Sequence, residues 1–294
     1  MSPVPKGTAP GSAPTRPTTV PDIRARKRDG RRLVMRTAYD YPTARLLDAA
    51  GIDIILVGDS LANTVLGYDS TLPVTMDEML HHTRAVVRGT RRALVVGDMP
   101  YLSYQTGVGD AIRNAGRFLK EAGAAAVKIE GGRKRAGLVR ALSEAEIPVM
   151  GHIGLTPQSL HVMGGYRVQG KKSDDVRALV DDARALQEAG IFALVLEGMP
   201  APAARAVSEA IDIPTIGIGA GPDCDGQVLV LHDLIGLTEG NPPRFVRRYA
   251  AVGEEIADAA RRFIADVQSG AFPSEAETYQ VPSPVPLPAR NHEH

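Results

Sequence analysis

Acidic side chains recur in this 294-residue sequence directly after short apolar runs rich in Ile and Val. The clearest case is Ile54–Val57, which is followed, after one glycine, by Asp59 and Ser60. Runs of this kind, without polar alternation, are typical of parallel strands buried on both faces. Parallel α/β proteins place their chemistry where such strands end. The polar side chains at these predicted ends are Asp59, Ser60, Asp98, Lys128, Glu130, His152 and Glu197.

Four carboxylates in one small pocket need a compensating charge, because like charges a few ångström apart repel strongly. Lys128 supplies only one positive charge. A hard divalent ion is the simplest compensation, and ligands that are all oxygen favour Mg²⁺ over Zn²⁺. Mg²⁺ typically takes only one or two carboxylates directly and keeps water molecules that a substrate can displace. The pattern therefore predicts a magnesium site with one carboxylate left free to act as a base.

Each of these residues also has a purely structural interpretation. An Asp after a strand is often the N-cap of the next helix, and Lys128 and Glu130 could form a simple ion pair. His152 is equally compatible with a hydrogen-bonded structural histidine. Cys224 is interpreted as a small packing residue rather than a nucleophile, since no His or Lys lies near it in the sequence. The repetition of polar residues at five strand ends favours the functional interpretation.

The elements that must position these residues alternate regularly along the chain. The predicted strands are 33–38, 54–57, 93–96, 125–129, 148–151, 193–196, 215–218 and 228–231. The predicted helices, with apolar residues at helical spacing, are 43–50, 76–87, 110–122, 174–189, 203–210 and 246–267. The basic segment 23–32 is predicted to form a short helix before a turn at 29–30 and is interpreted as a solvated leading helix. Eight strands alternating with helices indicate a (β/α)₈ TIM barrel. The alternative, a doubly wound open sheet, is disfavoured because no glycine-rich phosphate turn follows the first strand.

Composition limits the remaining possibilities. Lys plus Arg and Asp plus Glu both total 34, and this zero net charge argues against nucleic acid as the main partner. No apolar run approaches the length of a membrane span. A single cysteine excludes an intrachain disulfide and predicts a reducing, cytoplasmic location. Residues 1–21 are predicted to be a disordered tail rich in Pro and Thr, 22–272 a single catalytic barrel domain, and 273–294 a C-terminal tail.

Seven longer motifs add a family resemblance. They are TAYDYPTA (37–44), LVGDS (56–60), GYDSTLPVT (67–75), VKIEGG (127–132), GHIGLTPQS (151–159), GGYRVQGK (164–171) and PTIGIGAGPDCDGQVLV (214–230). Together they resemble the ketopantoate hydroxymethyltransferase family over about residues 33–272. The resemblance implies a (β/α)₈ barrel of the phosphoenolpyruvate mutase/isocitrate lyase-like group and a homo-oligomer, a decamer.

The same resemblance implies an activity: hydroxymethyl transfer from 5,10-methylenetetrahydrofolate to 3-methyl-2-oxobutanoate, giving 2-dehydropantoate on the route to pantothenate and coenzyme A. Loss of the C3 proton of the keto acid would give an enolate whose charge Mg²⁺ stabilises. By resemblance, Asp59, Asp98 and Glu130 are the metal site and Glu197 is the proton acceptor. The residues implied to contact the substrate are Asp59, Ser60, Asp98, Lys128 and His152.

Two other functions are alternatives to this one. A Mg-dependent lyase or mutase of the same barrel group would also act on a 2-oxo acid. Such relatives carry a Cys-Gly-His or similar motif, whereas Cys224 is followed by Asp225. Nucleic-acid binding by the basic segment 24–32 explains none of the strand-end carboxylates.

Overall fold

Eight parallel strands close into a barrel in chain order, each paired with its neighbours and β1 paired with β8. The computed structural model describes residues 16–238 and 240–280. The strands are β1 Leu33–Thr37, β2 Ile54–Val57, β3 Leu94–Asp98, β4 Ala126–Lys128, β5 Val149–Gly154, β6 Ala193–Glu197, β7 Thr215–Ile218 and β8 Gly226–Leu229. The predicted (β/α)₈ barrel is confirmed, with strand bounds within a few residues of those expected.

Both faces of the strands are buried in apolar layers, which explains the unbroken apolar runs. Alternate side chains of the strands fill the barrel interior, as Met35, Ile54 and Leu94 do on the first three strands. The other face packs against the helices in a larger core, to which Ile55 and Val95 belong. The side-chain period of two therefore divides each strand between two cores.

The helices lie outside this barrel. They are α1 Val20–Asp29, α2 Tyr41–Ala49, α3 Leu61–Thr64, α4 Met76–Gly89, α5 Val108–Lys120, α6 Ala136–Glu144, α7 Leu160–Met163, α8 Ser173–Ala189, α9 Ala201–Glu209, α10 Leu231–Leu234 and α11 Val252–Ser269. Helix α6 was missed by the sequence interpretation. No helix in the described part of the chain is long and apolar enough to span a membrane.

Two predicted helix boundaries were wrong. The last helix begins at Val252 rather than at 246, because the segment before it is held against the preceding loop: Tyr249 donates its backbone N–H to the carbonyl of Leu234, and Val252 donates to that of Ile235. The first helix begins at Val20, two residues inside the predicted tail. Residues 1–15 and 281–294 lie outside the described part of the chain. The domain limits 22–272 stay a prediction.

Helix α1 closes the N-terminal end of the barrel and is not the solvated helix that its basic sequence suggested. Ile23 is fully buried in the interior cluster of the barrel. Arg26 pairs with Asp53 and Lys27 pairs with Asp225, each at 2.8 Å. The basic residues of α1 are therefore partly used to neutralise carboxylates at the starts of strands.

Candidate active site

All seven polar residues predicted at the strand ends line one cavity of about 110 Å³ at the C-terminal end of the barrel. They are Asp59, Ser60, Asp98, Lys128, Glu130, His152 and Glu197. Strands β2 to β6 each contribute at least one of them. This convergence was the central structural expectation from the sequence, and the structure bears it out. The chemical roles of the individual residues are a separate matter and stay predictions.

Strand register places the charged groups beside one another. Asp98 and Lys128 are the last residues of β3 and β4, and they are direct partners in the parallel ladder. Helix α5 packs closely over this region, because a Cβ at Gly97 would overlap the ring of Phe118. The glycine before Asp98 is thus required by helix packing. It lets α5 approach the strand that carries the carboxylate.

Lys128 is the cation at the centre of this cavity. Its Nζ donates to both carboxylate oxygens of Asp98, at 2.7 and 2.8 Å, and lies 3.6 Å from Glu130 Oε1. Burial lowers the pKa of Lys128, but Asp98, Glu130 and Asp59 raise it further, so the net shift is upward. The structural alternative, an ion pair between Lys128 and Glu130, is present, but Asp98 is the nearer partner of Lys128.

The carboxylates of this cavity are not fully compensated. Burial, followed by the charges of Asp98 and Glu130, raises the pKa of Asp59 well above its usual range. Burial also raises the pKa of Asp98, although Lys128 opposes that shift. The pKa of Glu130 is lowered, because Lys128 and hydrogen bonding outweigh the opposing effect of burial. Three buried carboxylates thus share one ammonium group.

These residues fit a hard divalent cation. Such an ion would offset the excess negative charge of the buried carboxylates, and it prefers the oxygen ligands that they offer. It would also be a partner for Glu130 Oε1, which has no hydrogen bond to the residues that the structure describes. Within the described residues, however, no group of three His, Cys, Asp or Glu side chains is already arranged to hold a metal. Magnesium needs fewer direct protein ligands than that, because it keeps several waters. Asp59 and Asp98 are adjacent, since the Asp59 N–H donates to Asp98 Oδ2 at 3.2 Å.

His152 lies between two carboxylates. Its Nδ1 is 3.3 Å from Glu130 Oε1 and its Nε2 is 3.3 Å from Glu197 Oε2, although neither contact has hydrogen-bond geometry. Burial and Lys128 lower the pKa of His152, but the two carboxylates raise it to about 9. Glu197 is the most open of the acidic groups, with 20% of its side chain exposed. It is therefore the carboxylate that a substrate can reach most easily.

The structural interpretation is not supported for Asp59, but it is supported for Cys224. Asp59 does not cap a helix, because the N-cap of α3 is Ser60, whose own side chain bonds instead with the Tyr39 hydroxyl at 2.8 Å. Cys224 is a buried packing residue whose thiol pKa is raised by burial. It precedes β8 and so lies at the opposite end of the barrel from the carboxylates. That position gives no support to a lyase or mutase with a cysteine in this cavity.

Sequence reasoning missed two further residues of the site. Gln158 and Tyr104 are buried beside the carboxylates and hydrogen-bond to each other at 2.6 Å. Gln158 lies in the motif GHIGLTPQS, after the end of β5, so its position held a usable signal. Tyr104 is in the loop after β3, and nothing in its local sequence marks it as part of the site.

Comparisons with known proteins agree with this geometry. Residues 17–275 match the family model described as ketopantoate hydroxymethyltransferase. A relative from Koribacter versatilis (strain Ellin345), named 3-methyl-2-oxobutanoate hydroxymethyltransferase, is 61% identical over 84% of this chain and 83% of its own length.

Solved structures agree in fold. One is 2,3-dimethylmalate lyase, a PEP mutase/isocitrate lyase superfamily member, with a TM-score of 0.58 and 17% identity over 90% of this chain and 93% of that one. Another is phosphonopyruvate hydrolase in complex with oxalate and Mg²⁺, with a TM-score of 0.57 and 16% identity over 88% of this chain and 93% of that one. At these identities the likeness concerns the fold alone. On the family match and the 61% identity, the chain belongs to the ketopantoate hydroxymethyltransferase family.

Proposed function

We propose that this chain transfers a hydroxymethyl group from 5,10-methylenetetrahydrofolate to 3-methyl-2-oxobutanoate, giving 2-dehydropantoate, the first step of pantothenate biosynthesis. The observation that carries the proposal is the cavity itself, where three buried carboxylates share one lysine. The name of the relatives supplies the substrate. A cytoplasmic location is part of the proposal, supported by the single free cysteine.

Asp59 and Asp98 are the proposed ligands of Mg²⁺, with Glu130 as a ligand or as the holder of a coordinated water. Bound Mg²⁺ would polarise the carbonyl of the keto acid and stabilise negative charge on its oxygen. Its choice over other divalent ions rests on the all-oxygen donor set. Magnesium in a structure of the same fold is consistent with it.

The other residues bind the keto acid, remove its proton or position the carboxylates. Lys128 and Ser60 bind its carboxylate, since a buried ammonium and a hydroxyl that line the same cavity give a charge-assisted site for an anion. Glu197 removes the C3 proton, because its side chain is the most exposed of the acidic groups that line the cavity. His152 packs between Glu130 and Glu197 and fixes their separation. The C3 carbon, having lost its proton to Glu197, then forms a bond to the methylene carbon carried by the folate. Both C–N bonds of that carbon break, water supplies the hydroxyl oxygen of the product, and the two folate nitrogens take one proton from water and one from Glu197, which gives tetrahydrofolate.

The proposal includes a homo-oligomer, a decamer in keeping with the family. Helix α11 offers a surface for assembly, because none of its side chains is buried in the single chain. Its large apolar side chains are about half exposed and lie at helical spacing: Ile256, Phe263, Ile264 and Val267. An exposed apolar stripe of this size is typical of a protein–protein contact.

Proton exchange at C3 tests the proposed base without the folate. The purified protein with Mg²⁺ should exchange the C3 proton of 3-methyl-2-oxobutanoate with D₂O, and chelation should stop the exchange. Glu197→Gln should slow exchange by about 10²–10⁴-fold, the usual contribution of a general base, while the keto acid still binds. NMR measures the exchange and calorimetry the binding.

Glu188→Gln is the matched control, because Glu188 is exposed on helix α8. Its exchange rate should equal that of the wild type. Unchanged exchange in Glu197→Gln would assign the base to another residue. No ketopantoate from the wild type with both substrates and Mg²⁺ would overturn the proposed activity as a whole.

A further inference from the structure

Gln158 connects the loop after β5 to the buried carboxylates. It lies in the turn Pro157–Ser159, and its side chain is buried. Its Nε2 donates to Asp59 Oδ2 and to the carbonyl of Met99, both at 2.9 Å. Its Oε1 accepts from the hydroxyl of Tyr104 at 2.6 Å. Both hydrogens of the amide are therefore used on acceptors that lie on two other strand ends.

The orientation of this amide is fixed by its surroundings. If the amide were reversed, Oε1 would face the carboxylate of Asp59 and the carbonyl of Met99, which are both acceptors. The observed orientation also lets Oε1 accept from Gln105 Nε2 at 3.4 Å. Gln158 is thus held as a donor toward Asp59, and it restricts the rotamer of that side chain.

The backbone of Gln158 adds a second connection. Its N–H donates to Glu130 Oε2 at 3.0 Å, and the N–H of Glu130 donates to the Tyr104 hydroxyl at 3.1 Å. Gln158, in the loop after β5, therefore orients both Asp59, which follows β2, and Glu130, which follows β4. Among the described residues, Gln158 is the one that hydrogen-bonds to both of these acidic side chains.

The two proposed metal ligands are held by donors of different charge. Asp98 is bonded through both oxygens to the ammonium of Lys128, so a cation approaching it must compete with a positive charge. Asp59 is held by a neutral amide, which fixes the carboxylate without repelling a cation. Outer residues that orient metal ligands typically change metal affinity or activity by 10–100-fold when mutated.

We propose that Gln158 is a positioning residue for the divalent cation: its amide holds Asp59, and its backbone N–H holds Glu130, in the orientation that the ion needs. This inference rests on the proposed metal site. It also makes the loop that follows β5 part of that site, because loss of the Pro157–Ser159 turn would release both carboxylates together.

Binding of Mn²⁺ to the full chain without substrate provides the test, with the free ion followed by electron paramagnetic resonance. Gln158→Met keeps the length and bulk of the side chain but removes the donor, and should weaken Mn²⁺ binding by about 10–100-fold. Tyr104→Phe removes one hydroxyl that holds the amide and should weaken binding less, by about threefold to tenfold. Gln187→Met is the matched control, because Gln187 hydrogen-bonds Asp212 on the outside of the barrel and should leave binding unchanged.

Saturating Mg²⁺ should restore C3 proton exchange in Gln158→Met to near the wild-type rate, which damage to the fold would not allow. A Gln158→Met protein that binds Mn²⁺ as the wild type does would overturn the inference. If that variant does not fold, wild-type affinity in Tyr104→Phe would overturn it equally. A wild type that binds no Mn²⁺ would instead remove the proposed metal site, and the inference with it.

Discussion

The two ends of the barrel both carry buried or largely buried carboxylates, but the ends differ in how well hydrogen bonds and ion pairs compensate these groups. At the N-terminal end, Asp48 accepts hydrogen bonds from three consecutive backbone N–H groups, of residues 91–93, at 2.8 to 3.1 Å. Asp225 accepts from Lys27 and from the backbone and hydroxyl of Thr215 at 2.8 to 3.0 Å. These carboxylates connect strands and loops, and each accepts three hydrogen bonds from within the protein.

At the C-terminal end, the carboxylates are buried more deeply and compensated less. Asp59, Asp98 and Glu130 share the ammonium of Lys128, and Glu130 Oε1 has no hydrogen-bond partner within residues 16–238 and 240–280. Burying charge in this way destabilises the folded chain unless a further partner binds. The position of a carboxylate along a strand therefore does not reveal its role, whereas the number and charge of the hydrogen-bond donors around it do.

The largest expected effect comes from the same substitution made at both ends. Lys128→Met leaves three buried carboxylates without the ammonium group that they share and should lower the free energy of unfolding by about 3–5 kcal/mol. Lys27→Met removes a largely buried partner of Asp225, which keeps its bonds to Thr215, and should cost less, about 1–3 kcal/mol. Urea unfolding in the presence of EDTA measures both. Equal losses would show that the two ends do not differ in electrostatic compensation.

A smaller loss of stability is expected from Asp48→Ala. Three backbone N–H groups lose their acceptor, and the cost should be about 2–4 kcal/mol because solvent reaches part of the region. Catalysis should be unaffected at a temperature where the variant is folded, since Asp48 lies at the end of the barrel away from the cavity. Asp48→Asn keeps one acceptor oxygen and should show an intermediate loss. Slower C3 proton exchange in Asp48→Ala without a loss of stability would contradict a purely structural role for the carboxylates at the N-terminal end.

The sequence was most informative where one local pattern repeated. Apolar runs followed by polar residues predicted the strands, the closed barrel and the seven side chains of the cavity, because a barrel brings all strand ends to one rim. Local sequence also predicted most helices, through their apolar spacing.

The remaining features depend on partners that are distant in sequence. Helix α1 looked like a solvated basic segment because Asp53 and Asp225, which neutralise it, lie 27 and 198 residues further along from Arg26 and Lys27. Tyr104 looked like an ordinary loop residue, since its partner Gln158 is 54 residues away. Which carboxylate pairs with Lys128 was likewise set by strand register, which spacing along the chain does not encode.

The smallest expected effect is that of Asp59→Asn on the melting temperature. Its sign distinguishes the two ends of the barrel, because the loss of a carboxylate should stabilise the C-terminal end and destabilise the N-terminal end. Asp59→Asn removes one of the mutually repelling charges and keeps an oxygen for Gln158, so in EDTA the melting temperature should rise by roughly 2–4 °C, equivalent to about 1 kcal/mol. Added Mg²⁺ should raise the melting temperature of the wild type but not that of the variant, because only a protein that binds the ion is stabilised by it. Differential scanning calorimetry of both proteins, with and without Mg²⁺, gives the four values needed. If Asp59→Asn were destabilising in EDTA to the extent expected of Asp48→Asn, Asp59 would be a structural carboxylate of the same kind, and the charge in the cavity would need a different explanation.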